Sequence, residues 1–249
     1  MIEINEYINT KVYEELGRRW HEANDDPIAL LRAESRLRNP WIMAHIRPKF
    51  NHPVVLDVGC GGGFLSNDLA KSGFRVVGLD SSKESLKIAR DFDATKSVRY
   101  EWGDALSLPF AAKTFDVVCA MDFLEHVADP KRVIREVSRV LKPGGLFFFH
   151  TFNRNILAGL IIIKGVEWFV KNTPKHLHRY RYFIKPKELL DWCVRDSMNL
   201  VEIRGCRPAV NSDFFTLLRT RIVPEKFQFK WTPSLAIAYA GVVEKSLLD

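Results

Sequence analysis

The sequence predicts an α/β protein with a Rossmann-like, mostly parallel sheet of seven strands, N-terminal helices and a helical insertion after strand five. From residue 53 onward, short apolar stretches alternate with stretches of helical periodicity, as parallel strands do with their crossover helices. A glycine-rich turn follows the first of these strands. The chain of 249 residues is also long enough for one domain with a large core.

The first 50 residues are predicted to be helical and to cover a ligand site, and residues 51–249 are predicted to form the main domain. Turn-forming residues at positions 24–27 and an Asn-Pro pair at 39–40 are expected to break these helices.

The predicted strands are short apolar runs bounded by turn residues, and they cover residues 54–58, 75–79, 98–102, 115–121, 146–151, 200–206 and 234–243. Helices are predicted between them at residues 65–72, 84–91, 131–141 and 188–194. The third of these helices is expected to end at the Lys-Pro-Gly-Gly run at 142–145, where proline cannot continue it. An insertion at about 152–184 separates strand five from the next helix.

The turn after strand one carries Gly59, Gly61 and Gly63, with Asp57 two residues before the first glycine. A dinucleotide fingerprint would place its third glycine where this chain has Phe64. An NAD-dependent oxidoreductase is therefore the weaker alternative. The observed spacing resembles motif I of the class I S-adenosylmethionine (SAM) methyltransferases, and we expect Asp57, Gly59 and Gly61 to contact SAM.

Further candidate cofactor residues follow the next three strands. Asp80 ends strand two about 20 residues beyond the glycine turn, where a carboxylate can accept protons from both ribose hydroxyls, and Ser81 follows it. Asp104 and Ala105 follow strand three, where the carboxylate could bind the adenine amino group. Met121 ends strand four and could pack on the adenosyl or sulfonium part of SAM. Ligands of open parallel sheets bind at these strand ends.

The exit of strand four carries Asp122, Glu125 and His126. If this segment is helical, the three side chains share one face. His126 is a candidate general base for a phenol, because its ordinary pKa is near neutral. Alternatively, the three groups could hold Mg²⁺, which binds carboxylate oxygens, or they could only fix the loop below the cofactor.

The insertion begins with a strongly apolar run and continues with a basic, aromatic one. Long insertions in compact domains are usually functional. We expect residues 156–182 to lie on an anionic membrane surface or on a greasy substrate. The alternative is a lid with a solvated basic edge. The basic and aromatic residues of the second run are Lys175, His176, His178, Arg179, Tyr180, Arg181 and Tyr182.

The net charge of +7 favours acidic partners, but no nucleic-acid recognition motif accompanies it. We therefore expect no nucleic-acid partner. Four scattered cysteines without a C-x-x-C pair fit a reduced compartment and offer no zinc site. The N-terminus lacks the apolar core of a signal peptide, and no uninterrupted apolar run is long enough to span a bilayer. We expect a cytoplasmic protein, at most peripheral on the inner face of the cell membrane.

Five segments together resemble the ubiquinone-biosynthesis O-methyltransferases over about residues 50–205: LDVGCGGG, MDFLEHVADP, LKPGG, FNRN, and the PK-x-x-H motif at 174–178 followed by FIKPKELLDW. The first and third are shared by most class I methyltransferases, whereas the NRN and FIKPKEL parts are far more specific. The resemblance implies methylation of phenolic hydroxyls on polyprenylated rings and a lipid contact by the insertion. It also implies SAM contacts for Asp80, Met121 and Gly59 or Gly61, and a divalent metal at the acids and histidine after strand four.

The sequence departs from the family at three places. Members commonly carry N-P-L-R near the N-terminus, with the arginine on the SAM carboxylate; here Trp41 and Ile42 follow Asn-Pro, and Arg36 or Arg38 is the candidate replacement. Asp122 is one methylene shorter than the usual glutamate. The segment from residue 204 to 233 is longer than in the family.

The expected function is SAM-dependent O-methylation of a hydrophobic phenolic acceptor of the polyprenylated ubiquinone-precursor type. Methylation of another lipid-like or secondary-metabolite molecule is an alternative within the same class. A non-catalytic SAM-fold binding module is the alternative from a different class.

Overall fold

The computed structural model describes residues 10–175 and 177–247. Its strands form one sheet in the order β3-β2-β1-β4-β5-β8-β6-β7. They are β1 (Val54–Val58), β2 (Arg75–Asp80), β3 (Arg99–Trp102), β4 (Phe115–Met121), β5 (Leu141–Phe152), β6 (Met198–Pro208), β7 (Phe229–Thr232) and β8 (Ala238–Lys245). The first five are parallel, and β8, β6 and β7 continue the sheet through antiparallel pairs. The predicted α/β class and the mostly parallel central sheet are confirmed.

The helices lie before the sheet, between its strands and in the insertion. They are α1 (Thr10–Glu14), α2 (Arg19–Glu22), α3 (Pro27–Ile46), α4 (Phe64–Lys71), α5 (Lys83–Asp91), α6 (Pro130–Val140), α7 (Ile156–Ala158), α8 (Val166–Phe169), α9 (Pro186–Arg195) and α10 (Ser212–Thr220). A π-helical segment, Gly159–Gly165, joins α7 to α8, and short 3₁₀ turns cover Leu124–His126 and Tyr180–Tyr182.

The core has a layer of helices on each face of the sheet. Side chains along β5 alternate between the faces, as they must in a strand. Phe147 and Phe149 pack with α6 and α9, whereas Phe148 packs with α3 and α4. All three phenylalanines are fully buried. The carboxyl ends of the parallel strands are thereby held rigidly at one edge of the sheet, where a ligand site is expected.

The sheet contains an eighth strand, β7, and α10 precedes it; the sequence reasoning predicted neither. β7 is only four residues long and lies at the sheet edge, paired with β6 alone. So short an alternating stretch gives little periodic signal. The last strand also begins at Ala238 rather than at residue 234.

The predicted break at residues 39–40 was wrong, because α3 runs through Pro40 from Pro27 to Ile46. Tertiary contacts on both sides of the proline offset its missing N–H. The buried Asn39 amide donates to the carbonyl of Phe64 at 3.2 Å and to Oδ2 of Asp68 at 2.7 Å. Trp41 is buried one residue beyond the proline.

The inner side of the insertion is part of the core. Phe152, Ala158 and Phe183 form a buried cluster with β8, and Val170 packs with Leu217 of α10 in another. Its outer side is apolar but exposed, at Ile156, Leu157, Leu160, Ile161, Trp168 and Phe169. The insertion is therefore packed onto the domain through its inner side and presents a hydrophobic outer face to solvent.

Candidate active site

The glycine turn lies between the carboxyl end of β1 and the start of α4. Gly59 has a φ of +70° and Gly61 a φ of +50°, in the left-handed region that glycine occupies without strain. A Cβ on Gly59 would lie 2.1 Å from Cδ2 of Phe123, from the segment after β4. The turn therefore depends on glycine for both its conformation and its packing.

Asp80 connects the glycine turn to the turn after β2. Its Oδ2 accepts a hydrogen bond from the backbone N–H of Gly61 at 2.8 Å, and its Oδ1 accepts one from Ser82 at 2.8 Å. Burial raises the pKa of Asp80, and these backbone donors oppose that shift. Each carboxylate oxygen can accept a further hydrogen bond, so Asp80 can bind ribose hydroxyls while holding both turns. Asp80 and Ser81 both line the main cleft.

Asp57 lies buried at the end of β1, and it also lines the cleft. Ser66 of α4 donates a hydrogen bond to its Oδ2 at 2.7 Å. Burial raises the pKa of Asp57 to about 7, although the Ser66 hydrogen bond opposes the shift. Asp57 thus ties β1 to α4, and its direct contact with SAM stays a prediction.

The remaining predicted cofactor residues separate into two groups. Met121 lines the cleft at the end of β4. Asp104 and Ala105 are not among the described residues that line it. Oδ1 of Asp104 accepts a hydrogen bond from the N–H of Leu106 at 2.7 Å, within its own turn, and Ala105 is buried. Their contact with adenine stays a prediction.

Two aromatic side chains that the sequence reasoning missed cover the glycine turn. Trp20 packs so closely that a Cβ on Gly61 would lie 2.7 Å from its Cη2. The Tyr13 ring stacks on Trp20 with a centroid separation of 5.8 Å. No spacing or motif connects these N-terminal aromatics to the turn in the sequence. Residues of α1, α2 and α3 line the cleft, and the proposed boundary at residue 50 stays a prediction.

A buried network of four charged groups lies beside the cleft. Nη1 of Arg38 is 2.5 Å from Oδ2 of Asp122 and 3.7 Å from Oε2 of Glu34. Nδ1 of His150 is 2.5 Å from Oδ1 of Asp122, and its Nε2 is 3.2 Å from Oε1 of Glu34. Burial alone would lower the pKa of His150, but the two carboxylates raise it well above its usual value. Two cations therefore face two anions.

The two arginines considered as replacements for the N-P-L-R arginine point to different places. Nη2 of the exposed Arg36 donates to the carbonyls of Glu225 at 3.0 Å and Phe227 at 2.9 Å. Arg38 lines the cleft, and its buried Nε has no hydrogen-bond partner among the described residues. Arg38 is therefore the one placed to meet an anionic group in the cleft.

The segment after β4 is helical only over Leu124–His126, so Asp122, Glu125 and His126 do not share one helix face. Asp122 has a φ of +53° and directs its carboxylate to Arg38 and His150. Glu125 is buried and accepts a hydrogen bond from Oγ1 of Thr151 at 2.8 Å. Burial and the charge of Asp122 raise the pKa of Glu125 to about 8, so it is protonated at neutral pH.

These three groups do not fit a magnesium site. Within the described ranges, ligand atoms of three or more His, Cys, Asp or Glu side chains come together only at Glu34, His150 and Cys206, where they lie within 4.8 Å of one another. Asp122 is already neutralised by cations, and Glu125 is protonated. His150 is an imidazolium, which has no free lone pair for a metal. Each set therefore offers one ionised carboxylate, Asp122 or Glu34, and that carboxylate is already paired with Arg38 and His150, whereas Mg²⁺ prefers several free oxygen ligands.

His126 lines the cleft, and two other ring side chains, Tyr13 and His178, lie close to it. The Tyr13 hydroxyl is 3.4 Å from Nε2 of His126, and the centroids of the His126 and His178 rings are 5.7 Å apart. Burial lowers the pKa of His126 to about 4 and that of His178 to about 3, so both imidazoles are neutral near pH 7. The buried Nδ1 of His126 has no hydrogen-bond partner in the described part of the chain.

The cleft continues from the glycine turn past His126 to apolar walls under the insertion. These walls include Phe152, Ile161, Ile162, Val166, Leu177, Phe229, Ile237 and Ala238. His178 lines the cleft, Lys175, Arg179, Tyr180 and Arg181 are exposed, and His176 lies outside the described residues. None of the helices in the described ranges combines the length and the apolar character that crossing a bilayer requires.

Comparison with known proteins identifies the class. A family model described as a methyltransferase domain matches residues 56–149. The solved structure of a SAM-dependent methyltransferase from Methanosarcina mazei aligns with a TM-score of 0.58 at 22% identity, covering 84% of this chain and 98% of that one. This likeness concerns the fold alone. The family model, the glycine turn and the acid ending β2 together define the chain as a class I SAM-dependent methyltransferase, with the fold in agreement.

Curated relatives identify the family. The ubiquinone biosynthesis O-methyltransferase of Actinobacillus pleuropneumoniae is 36% identical over 205 residues, covering 78% of this chain and 85% of the relative. The protein of the same name from Hahella chejuensis is 40% identical over 198 residues, covering 78% and 82%. The chain belongs to the ubiquinone biosynthesis O-methyltransferase family, which confirms the resemblance drawn from the motifs.

Proposed function

We propose that the protein methylates a hydroxyl of a hydrophobic phenol, and that this acceptor is a polyprenylated precursor of ubiquinone. The observation that carries the proposal is the single cleft that joins the glycine turn to apolar walls, with the neutral His126 between them. The relatives' shared name supports ubiquinone biosynthesis as the setting.

The residues at the carboxyl ends of β1 and β2 suit SAM. Gly59 and Gly61 line the cleft with their backbone, and Asp80 offers acceptors for ribose hydroxyls. The guanidinium of Arg38 suits the carboxylate at the amino-acid end of SAM, since its Nε has no partner among the described residues. SAM, when bound, supplies an activated methyl group on a sulfonium.

His126 is the group we assign as general base. A phenolic oxygen becomes far more acidic as it forms a bond to carbon, so a weakly basic neutral imidazole is sufficient to accept its proton at that point. The nearby negative charge of Asp122 favours the imidazolium that forms. Because Asp122, Glu125 and His126 do not fit Mg²⁺, no step of this mechanism uses a metal.

We also infer that the outer face of the insertion rests on an anionic membrane, which places the protein at the inner face of the cell membrane. Exposed apolar side chains cover this face, among them Ile156, Leu160 and Trp168. Exposed cations belong to the same segment, at Lys164, Lys171, Lys175, Arg179 and Arg181. A greasy patch with surrounding basic residues is the pattern of interfacial binding. A polyprenyl tail in the bilayer would then enter the apolar end of the cleft.

The test is methyl transfer from isotopically labelled SAM to a lipid extract, followed by mass spectrometry. The proposal expects the label on a prenylated phenol, with wild-type protein active and Asp80→Ala strongly impaired. Label on a small molecule without a prenyl chain would instead favour a secondary-metabolite methyltransferase. Tight SAM binding without any transfer would favour a non-catalytic binding module.

A further inference from the structure

The insertion contributes a titratable side chain to the centre of the cleft. His178 lies 52 positions beyond His126 in the sequence, yet the two rings have a centroid separation of 5.7 Å and an interplanar angle of 45°. Both residues line the cleft. The segment after β4 and the insertion therefore meet at two imidazoles.

The position of His178 is set by the core rather than by a loose loop. Its ring packs edge-on against Phe152 of β5, with a centroid separation of 5.1 Å, and lies near Phe183, with a centroid separation of 6.4 Å. Phe152 and Phe183 belong to a buried cluster, and the neighbouring Leu177 is buried as well. A side chain held this way can orient a ligand without a large loss of rotamer entropy.

One of the two rings lacks a polar partner that buried imidazoles usually find, and the other, His178, is half-buried. Nδ1 of His126 is buried with no hydrogen-bond partner among the described residues, and the Tyr13 hydroxyl lies 3.4 Å from its other ring nitrogen, Nε2. Buried polar atoms without partners are uncommon in native proteins and often mark a place that a ligand completes. A neutral imidazole offers one acceptor and one donor, which suits a hydroxyl group.

We propose that His178 is an acceptor-binding residue, and that it holds the acceptor's ring hydroxyl together with His126, so that the insertion supplies half of the polar site. This inference rests on the proposed function, since it assumes a hydroxyl-bearing aromatic acceptor. It gives the insertion a direct part in orienting the acceptor, in addition to any contact with lipid.

The kinetic test uses His178→Phe, which keeps a ring of similar shape, and His178→Gln, which keeps a hydrogen-bonding group. With a geranyl-substituted catechol as the probe, we expect His178→Phe to lower kcat/KM at least tenfold and His178→Gln to restore most of it. The control is His52→Gln, because His52 lies on the exposed loop before β1. The SAM affinity and the thermal unfolding midpoint of both His178 variants should equal those of this control within experimental error. Wild-type kcat/KM in His178→Phe would overturn the proposal.

The second test does not require turnover. The imidazole nitrogens of the wild-type protein, loaded with S-adenosylhomocysteine, are followed by ¹⁵N NMR while the same catechol is added. Shifts of both His126 and His178, with His52 unmoved, support the two-histidine site even if no methyl transfer occurs. In that case the proposed function fails while this inference stands. A catechol that binds and shifts His126 but leaves His178 unmoved, or that shifts neither, overturns the inference.

Discussion

The two halves of the cleft are built in different ways. The cofactor half is formed by backbone turns at the ends of β1 and β2, and its carboxylate, Asp80, has hydrogen-bond partners within the protein. The proposed acceptor half is assembled from distant segments, and its walls are mostly apolar, with polar groups at Tyr13, His126 and His178. The half proposed to bind SAM is therefore encoded by residues close together in the sequence, whereas the half proposed to bind the acceptor depends on tertiary contacts.

The charged network of Glu34, Arg38, Asp122 and His150 connects the two halves. Arg38 and Asp122 line the cleft, and Asp122 precedes the turn that carries His126. Disturbing the network should damage both halves, whereas changes within one half should leave the other intact. Four predictions test this difference, in order of decreasing effect.

Removing the charge of Arg38 should have the largest effect. Arg38→Met leaves Asp122 and Glu34 buried with one cation fewer, and breaking a buried ion pair costs about 3–5 kcal/mol. Urea unfolding should show that loss in the free energy of unfolding. Arg36→Met on the same helix removes two hydrogen bonds from an exposed guanidinium to backbone carbonyls, and it should lose less, about 1–2 kcal/mol. Equal losses in the two variants would mean that the network does not stabilise the cleft.

Asp80→Ala should weaken SAM binding and leave the acceptor half intact. A hydrogen bond to a charged group is worth about 1.5–3 kcal/mol, which corresponds to about a 10- to 150-fold loss of affinity in a titration. Asp116→Ala is the matched control, because Asp116 also accepts a backbone hydrogen bond, from Val54 at 2.8 Å, but at the other end of the sheet. Unchanged SAM affinity in Asp80→Ala would contradict the ribose assignment.

Substitutions on the outer face of the insertion should change membrane binding and leave stability unaffected. Ile156 and Trp168 are 86% and 59% exposed, so the double change to serine should leave thermal stability unchanged. Loss of two apolar anchors should lower partitioning into anionic vesicles about 10-fold, or about 1.4 kcal/mol. Val194→Ser, 59% exposed on α9, should have no effect in the same sedimentation assay. Equal vesicle binding by both variants would place the membrane contact elsewhere.

Glu125→Gln should have the smallest effect on activity at neutral pH, because the protonated Glu125 resembles the amide. In the folded protein the pKa of Glu125 is about 8, whereas in the unfolded chain it is near the ordinary 4.5. Between these two pH values the folded state keeps a proton on Glu125 that the unfolded state has released. The wild-type free energy of unfolding is therefore not reduced by Glu125 below about pH 4.5, and it declines as the pH rises towards about 8. Urea midpoints measured across this range should fall less in Glu125→Gln than in the wild type. Parallel curves would contradict the protonated assignment.

The same contrast explains what the sequence could predict. Gly59 and Asp80 were predictable because a glycine turn and the end of a strand can each be identified from a few neighbouring residues in the sequence. Glu34 and His150 were not, since they lie far apart in the chain and meet only through packing. His178 was named as part of the basic run of the insertion, but its position beside His126 was not predicted, for the same reason. Pro40 misled the helix prediction because local propensity was overridden by the buried contacts of Asn39 and Trp41. β7 was missed because four residues carry too weak a pattern.

The most direct test of the central claim compares two acceptors that share one catechol ring, one with a prenyl tail and one without. Wild-type protein should methylate the tailed ring with a kcat/KM at least tenfold higher, with most of the difference in KM, because the apolar half of the cleft binds the tail. Equal kcat/KM values for the two rings, or a preference for the ring without a tail, would contradict the claim that the acceptor half of the cleft selects a hydrophobic acceptor.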